Sequence, residues 1–358
     1  MKRFNVRFMF VMSIVFIVGV SCSKEREITT EKLQKGEDGV VYVVGEEKPY
    51  TGKAVFEGEQ KRREIAYKNG KLDGLASRWY SDGQKKSETN YKDGQYSGPY
   101  RTWYRDGQQE KEGSYKAGKE DGQWVFWYPG GQKQGEGNYE DGKRINQWTL
   151  WAPDGRKLET GVLTDNDGNA YQTIKIGNQW WMAENLRVTR YRNGDAIPKV
   201  TESTAWKNLR TGAWCNYDNN ADHGKIYGLL YNWHAVNDRR SIAPEGWHVP
   251  ADEEWKQLEL DIGTDEGGKL KEAGTAHWNS PNEKATNEIG FWAIAGGDRN
   301  SIGNFINIGD AAYFWSSTDG GRDSARYRGL SHNAWDLTRG YGNGAAKQSG
   351  FSVRCVKD

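Results

Sequence analysis

Between Tyr67 and Gly155 the large apolar residues recur at one fixed interval in a polar background. Tyr67, Tyr91, Tyr115 and Tyr139 are 24 residues apart, and Trp79, Trp103, Trp127 and Trp151 keep the same step. Two glycine rows, Gly70, Gly94, Gly118, Gly142 and Gly83, Gly107, Gly131, Gly155, share it. Four coincident rows define a tandem array of one supersecondary unit. Each copy carries two turn signals, such as Asp93-Gly94 and Asp106-Gly107. Asp-Gly between aromatic-bearing runs marks a hairpin, because a type I′ turn needs positive φ at both central residues. Glycine falls too often for a helix to form cheaply. The pattern predicts an antiparallel meander of β-hairpins. Counting from a two-residue turn at Asp106-Gly107 sets Arg105 opposite Gln108 and Gly98 opposite Tyr115. The preceding copy sets Gly74 opposite Tyr91, so each tyrosine covers a bare glycine backbone. The Lys- and Glu-rich remainder predicts a single layer with much solvent contact. The Tyr and Trp rows read first as the repeat's own packing and second as a stacking platform for a ligand.

After about Thr164 the period stops. Asp165-Asn166-Asp167-Gly168 predicts a turn, and the alternation of Tyr171, Thr173 and Lys175 against Gln172, Ile174 and Ile176 predicts a strand. Pro250 and the acids up to Glu254 suit the first turn of a helix. Trp255, Leu258 and Ile262 are spaced to bury one face of it. Gly268–Glu272 predicts a second short helical segment, and the remainder reads as short strands on long loops. The result is an α+β head behind a mainly β array.

At the other end, Met1-Lys2-Arg3 and Arg7 precede an apolar run from Phe8 to Val20, then Ser21-Cys22. A basic start and a short apolar core make a secretory signal peptide, too short to span a bilayer comfortably. Residues 23–38 are charged and poor in hydrophobes, which predicts a flexible tether. The domain expectation is therefore signal 1–21, tether 22–38, array 39–160 and head 161–358.

Composition narrows the chemistry. Hydrophobic residues make up only 35% of the 358, yet aromatics make up 13%, which suits aromatic-rich β structure over aliphatic helical cores. Fifty Lys+Arg against 49 Asp+Glu leave a net charge of +1, so no global field favours nucleic acid. Cys215 and Cys355 remain beside Cys22, and an exported protein allows a disulfide between them, with two buried thiols as the alternative. The five histidines lack metal-ligand spacing. No Gly-x-Ser-x-Gly elbow, phosphate loop or dinucleotide fingerprint is present. Asp165–Asn169 has glycine at its fourth position, unlike an EF-hand loop. Asp218, Asn219, Asn220 and Asp222 gather hard oxygen donors and form a candidate calcium site, with a solvated loop as the alternative. Glu253 and Glu254 read as helix-dipole partners, not an acid/base pair.

Three resemblances extend this reading. The Tyr-x-x-Gly-Lys openings (Tyr67–Lys71, Tyr115–Lys119, Tyr139–Lys143) and Trp-Tyr-x-Asp-Gly segments (Trp79–Gly83, Trp103–Gly107) resemble bacterial MORN-type repeats found in antitoxin-like proteins. Gly19-Val20-Ser21-Cys22 resembles a lipoprotein cleavage site, implying a lipidated Cys22. Ser23 and the following Lys24-Glu25-Arg26-Glu27 favour the outer membrane, at the cell surface of a Bacteroidota-like bacterium. Trp181–Leu186, Tyr227–Trp233, Pro244–Pro250, Trp315–Thr318 and Gly350–Val356 together resemble the Fibrobacter succinogenes major paralogous domain. That resemblance implies a C-type-lectin-like fold akin to the formylglycine-generating group, whose long loops often hold calcium. Many relatives carry cysteine where Ala243 stands, which leaves Cys215 as the alternative partner for Cys355. The reactive cysteine pair of the formylglycine-generating enzymes is not reproduced. The expectation is a non-enzymatic surface lipoprotein, held to the membrane by its lipid. Its head binds a glycan or protein ligand, the repeats serve as stalk or interaction surface, and no cofactor is needed beyond the candidate calcium. The alternatives are an unrecognised envelope enzyme of the formylglycine-generating-like fold and a toxin-neutralising repeat protein.

Overall fold

The computed structural model describes residues 26–358 apart from 59, 60, 341 and 343. The signal segment and Cys22 lie outside the described residues.

The array forms a ten-stranded sheet. Nine strands from Gly52–Gly58 to Lys143–Leu150 run as an antiparallel meander. Gly98 pairs with Tyr115 and Gly74 with Tyr91, as the spacing predicts, and Gly52–Tyr67 and Gly122–Tyr139 repeat the arrangement. The turns fall into two classes. Asp93-Gly94 is a two-residue turn between paired Lys92 and Gln95, with φ of 49° and 88°. Asn69-Gly70, Ala117-Gly118 and Asp141-Gly142 match it in having positive φ at both residues, the type I′ signature.

The other class corrects the expectation. Arg105 does not pair with Gln108; Trp103 pairs with Gln109. Gly107 N–H donates to Tyr104 O at 3.0 Å and Tyr104 N–H to Gln108 O at 2.8 Å. Only Gly107 takes positive φ (85°). This is a type I turn closed by a glycine bulge. The register still reaches Gly98–Tyr115, because a shift between Thr102 and Trp103 absorbs the extra residue.

The sheet has two unlike faces. One carries Glu64, Glu88, Glu112 and Glu136, again 24 apart. Lys53 pairs with Glu64, Lys85 with Glu88 at 2.5 Å, Arg101 with Glu112 at 2.8 Å and Lys133 with Glu136 at 2.8 Å. The other face carries Ala76, Tyr100, Trp124 and Trp148 in one row, against Ile65, Thr89, Gly113 and Gly137 eleven residues earlier in each copy. The two rows compensate in volume. Where the large side chain is tryptophan its neighbour is glycine, and a Cβ at Gly113 or Gly137 would fall inside the Trp124 or Trp148 ring. The named tryptophans Trp79, Trp103, Trp127 and Trp151 are half-buried. Copies are bolted together through the last three of these: Tyr80 Oη donates to Trp103 O (2.7 Å), Tyr104 Oη to Trp127 O (2.8 Å) and Tyr128 Oη to Trp151 O (3.0 Å).

Two expectations fail at the ends of the array. Residues 26–38 are not a tether. Glu27–Thr29 pairs in parallel with Gly52–Gly58, and Leu33–Lys35 forms a hairpin with Val41–Val43. Ile28 and Leu33 pack on a small core of Val43, Tyr50 and Ala54. An edge strand leaves backbone donors and acceptors unpaired, and this segment covers them: Lys53 N–H donates to Arg26 O at 2.8 Å. At the far end the sheet is not a free layer. Trp148, Leu150, Ala152 and Leu158 share one core with Ile174, Trp181, Trp255, Phe291 and Phe314 of the head.

The head contains a five-stranded sheet ordered Thr160–Thr164, Ala170–Ile176, Gln179–Met182, Val356–Lys357, Trp247–His248. A second sheet is built on Ala311–Asp319 and Ser324–Ser331. The helix Asp252–Ile262 buries Trp255, Leu258 and Ile262 as its spacing predicts, and Glu266–Leu270 is the second. Among the described residues three further α-helices, Ser203–Lys207, Ala221–Tyr227 and Trp233–Val236, and a 3-10 helix, Tyr217–Asn219, add to the two expected.

Within this head Asp298 is buried, with Asn307 Nδ2 donating to its Oδ1 at 2.7 Å, and burial pushes its carboxyl up to about 6. A carboxyl raised on folding stabilises fully below its unfolded value of about 4 and loses that contribution as pH rises through the folded value. Thermal melts should therefore show wild type losing stability against Asp298→Asn between about pH 4 and pH 6. A difference that stays flat across that window would contradict it.

Candidate ligand-binding surface

The non-glutamate face of the array carries a continuous path of aromatic rings. Centroids of Tyr91 and Tyr96 lie 5.0 Å apart, Tyr96 and Tyr115 5.0 Å, Tyr115 and Trp124 5.2 Å. The path continues through Trp124–Tyr139 at 5.9 Å and Tyr139–Trp148 at 5.2 Å to Trp292 of the head at 6.1 Å. Edge-to-face and offset arrangements dominate, as ring quadrupoles favour. Trp124 and Trp148 are buried, while Tyr91, Tyr100, Tyr115 and Tyr139 are half-exposed and Tyr96 is 39% exposed. The tyrosines thus take part in the repeat's own packing, the first of the two roles read from the sequence, and keep part of each side chain accessible. Burial pushes the phenols of Tyr91 and Tyr100 up to about 12, so both remain neutral hydroxyl donors at any physiological pH.

Where array meets head, the path ends in charged groups. The Arg144 guanidinium lies 3.4 Å from the Trp292 ring centroid and 4.9 Å from that of Trp148. Its Nε donates to Tyr139 Oη at 3.2 Å. Tyr115 Oη donates to Glu120 at 3.3 Å. On the head side His277 Nδ1 meets Glu272 Oε2 at 2.8 Å, and its ring contacts Tyr227 edge-on at 5.7 Å. Burial lowers the imidazole pKa, but the bond to and charge of Glu272 outweigh it and raise the value. Trp292 takes φ of 55°. A bulky residue in the left-handed region costs on the order of 1–3 kcal/mol and persists only where its surroundings impose it. Here Asn287 Oδ1 accepts from Trp292 N–H at 2.7 Å, and Arg354 Nη2 donates to Trp292 O at 2.9 Å. The head therefore holds this indole against Arg144 at a local cost.

Other residues singled out in the sequence lie elsewhere. Cys215 and Cys355 are free and buried, in separate cores, so the disulfide expectation is corrected. Cys215 sits on the Trp214–Cys215 strand opposite Leu230, while Cys355 lies beside Met182, whose N–H donates to Cys355 O at 2.9 Å. Burial pushes the Cys215 thiol up to about 11 and raises that of Cys355 further, leaving both as inert apolar side chains. The candidate calcium residues Asp218, Asn219, Asn220 and Asp222 are exposed, and the last three are otherwise engaged. Asn220 Oδ1 caps Ala221–Tyr227 by accepting from Asp222 N–H at 2.9 Å, and Asp222 pairs with Lys225 at 2.7 Å. Asn219 donates to Thr201 O at 3.3 Å. Among the described residues no three His, Cys, Asp or Glu side chains are placed to share a metal ion.

The head's sequence motifs, distant along the chain, meet in its core. Arg354 of Gly350–Val356 is wholly buried between Phe291 (4.2 Å) and Phe314 (5.3 Å). It donates from Nε to Asn185 Oδ1 of Trp181–Leu186 at 2.9 Å, and from Nη1 to Phe291 O. Trp315 Nε1 donates to Tyr231 O at 2.7 Å, and Trp233 Nε1 to Ser316 O at 2.9 Å. Residues 174–357, just over half the chain, match the sequence profile of the Fibrobacter succinogenes major domain. The chain belongs to this family. No curated protein matches the chain. The match starts inside the Ala170–Ile176 strand, so it covers the head and leaves the repeat array outside the matched residues. The junction at Arg144 and Trp292 is where the array touches the matched region.

Proposed function

We propose that the protein is an exported, non-enzymatic lipoprotein that binds a saccharide chain along the array's tyrosine face and the adjoining head. The carrying observation is the chain of ring contacts that joins the half-buried Tyr91, Tyr115 and Tyr139 and the exposed Tyr96, through buried Trp124 and Trp148, to Trp292 and Arg144. Flat aromatic faces stack on the apolar faces of sugar rings, and neutral phenols donate to sugar hydroxyls. Arg144, Glu120 and Glu272 supply the few polar groups that orient a ligand on an apolar surface. In this reading the repeats are of MORN type, the head is C-type-lectin-like, and the array is an interaction surface as well as a stalk.

A glycan array probed with the full chain tests it. At least one oligosaccharide should bind, and Tyr96→Ala/Tyr100→Ala should weaken it tenfold or more, about 1.4 kcal/mol. Binding that the double variant leaves intact would remove the array face from the reading. The anchor belongs to the same proposal: Cys22, after its apolar run, takes acyl chains that hold the protein on the outer membrane at the cell surface. Palmitate labelling should be present in wild type and lost in Cys22→Ala, and an unlabelled wild type would refute the anchor.

A further inference from the structure

Beside the Trp233–Val236 helical turn the head carries a cavity of about 660 Å³ whose lining includes Arg210, His234, Arg239 and Arg240. The three arginines are not alike. Arg240 is fixed by carboxylates: Nε and Nη2 donate to Asp238 at 2.9 and 2.8 Å, and Nη1 donates to Asp195 at 3.0 Å. It also lies 4.0 Å over the Tyr191 ring. Its charge is answered within the protein, and Asp238 is held down to about 2 chiefly by that guanidinium.

Arg210 and Arg239 have no carboxylate partner among the described residues, and Arg210 donates only to the neighbouring Leu209 O at 2.9 Å. His234 Nε2 is buried without a hydrogen-bond partner. Burial first, then the charges of Lys347 and Arg210, lower the His234 pKa, so the ring is neutral at pH 7. One wall is Trp233, held by its indole bond to Ser316 O at 2.9 Å. Three guanidinium groups against Asp195 and Asp238 leave a net positive charge in a concave site with unspent donors.

We propose that this cavity binds the oxyanion of an acidic sugar unit, a carboxylate or a sulfate, on the unpaired guanidinium groups of Arg210 and Arg239, with the half-buried His234 ring in the wall beside them. Guanidinium groups recognise such planar or tetrahedral anions through paired N–H donors. A bound anion also reverses the electrostatics at His234, since an adjacent negative charge favours the imidazolium. This inference rests on the saccharide reading for the carrier and adds the charge on it.

The full chain is titrated with uronate-only oligomers (alginate), sulfate-only oligomers (sulfated dextran) and neutral dextran of matched length. At least one acidic oligomer should bind tenfold or more tighter than dextran, and which one does identifies the anion. Arg210→Gln/Arg239→Gln, both exposed and away from the core, should abolish that advantage. Lys68→Gln/Lys71→Gln, which removes the same charge at an array turn, should keep it. In wild type the His234 ring titration should move to higher pH when the acidic oligomer is added, and should not move in the arginine variant. No acidic preference in wild type, a preference that survives the arginine changes, or an equal loss in the lysine variant would each overturn the proposal. Such an outcome would leave the tyrosine-face reading standing, because that is judged by Tyr96→Ala/Tyr100→Ala on whichever oligosaccharide the glycan array selects.

Discussion

Trp148→Ala is expected to cost about 3–5 kcal/mol of stability, the range for emptying a large aromatic site in a packed core. Trp148 is 1% exposed and belongs to the core that joins array to head. Its neighbours cannot collapse into the space: Gly137 beneath it has no side chain, and the Trp292 backbone is held by Asn287 and Arg354. The indole N–H has no hydrogen-bond partner among the described residues, so the loss is one of ring packing and of the Arg144 contact at 4.9 Å. Denaturant unfolding should show a single transition in wild type and an early one in Trp148→Ala, with array and head separating. Trp103→Ala, at a half-buried position of the repeat, should cost far less. Equal costs for the two would mean that the junction is no more tightly packed than the array surface.

Asp252→Ala is expected to cost about 3–5 kcal/mol as well, by a different mechanism. Arg328 is 1% exposed at its side chain and Asp252 7%, and the two are paired directly. Arg339 joins Asp252 from the surface, and Glu259 holds Arg328 Nε at 2.7 Å. Removing Asp252 leaves the buried Arg328 guanidinium with only the partly exposed Glu259 as a carboxylate partner, and that loss of charge compensation in low dielectric accounts for most of the cost. The double change Asp252→Leu/Arg328→Met removes both charges and should recover more than half of the loss. Chemical denaturation of the two variants reads this directly. A double variant no better than the single would assign the loss to packing instead of the under-compensated guanidinium.

The array was legible because its constraints are local. Glycine at positive φ opposite tyrosine follows from counting alone, and it holds at Gly74, Gly98 and Gly122. The second turn was misread because Asp-Gly serves two geometries, and only the bulge after Trp103 distinguishes them. The deepest row, Ala76, Tyr100, Trp124 and Trp148, escaped because its residue type changes from copy to copy. A signal was present, since Ile65, Thr89, Gly113 and Gly137 shrink as that row grows. The cap at residues 26–50 was hidden by charge, which masked Ile28 and Leu33 in the composition. Helices of four to seven residues, such as Trp233–Val236 and Ala221–Tyr227, are too short to show a period. The family's motifs named the head but not its geometry. That Arg354 would meet Asn185, and that Cys215 and Cys355 would lie in different cores, depends on contacts between segments up to 170 residues apart along the chain.

One array face, continuous with the head and open to a sugar chain, is the claim on which the account stands. Amide hydrogen exchange of the full chain, with and without the oligosaccharide selected on the glycan array, tests it most directly. Protection should appear together on the strands Gln95–Trp103 and Lys119–Trp127 and on head residues 287–292. Protection confined to the head, with the array strands unchanged, would contradict it.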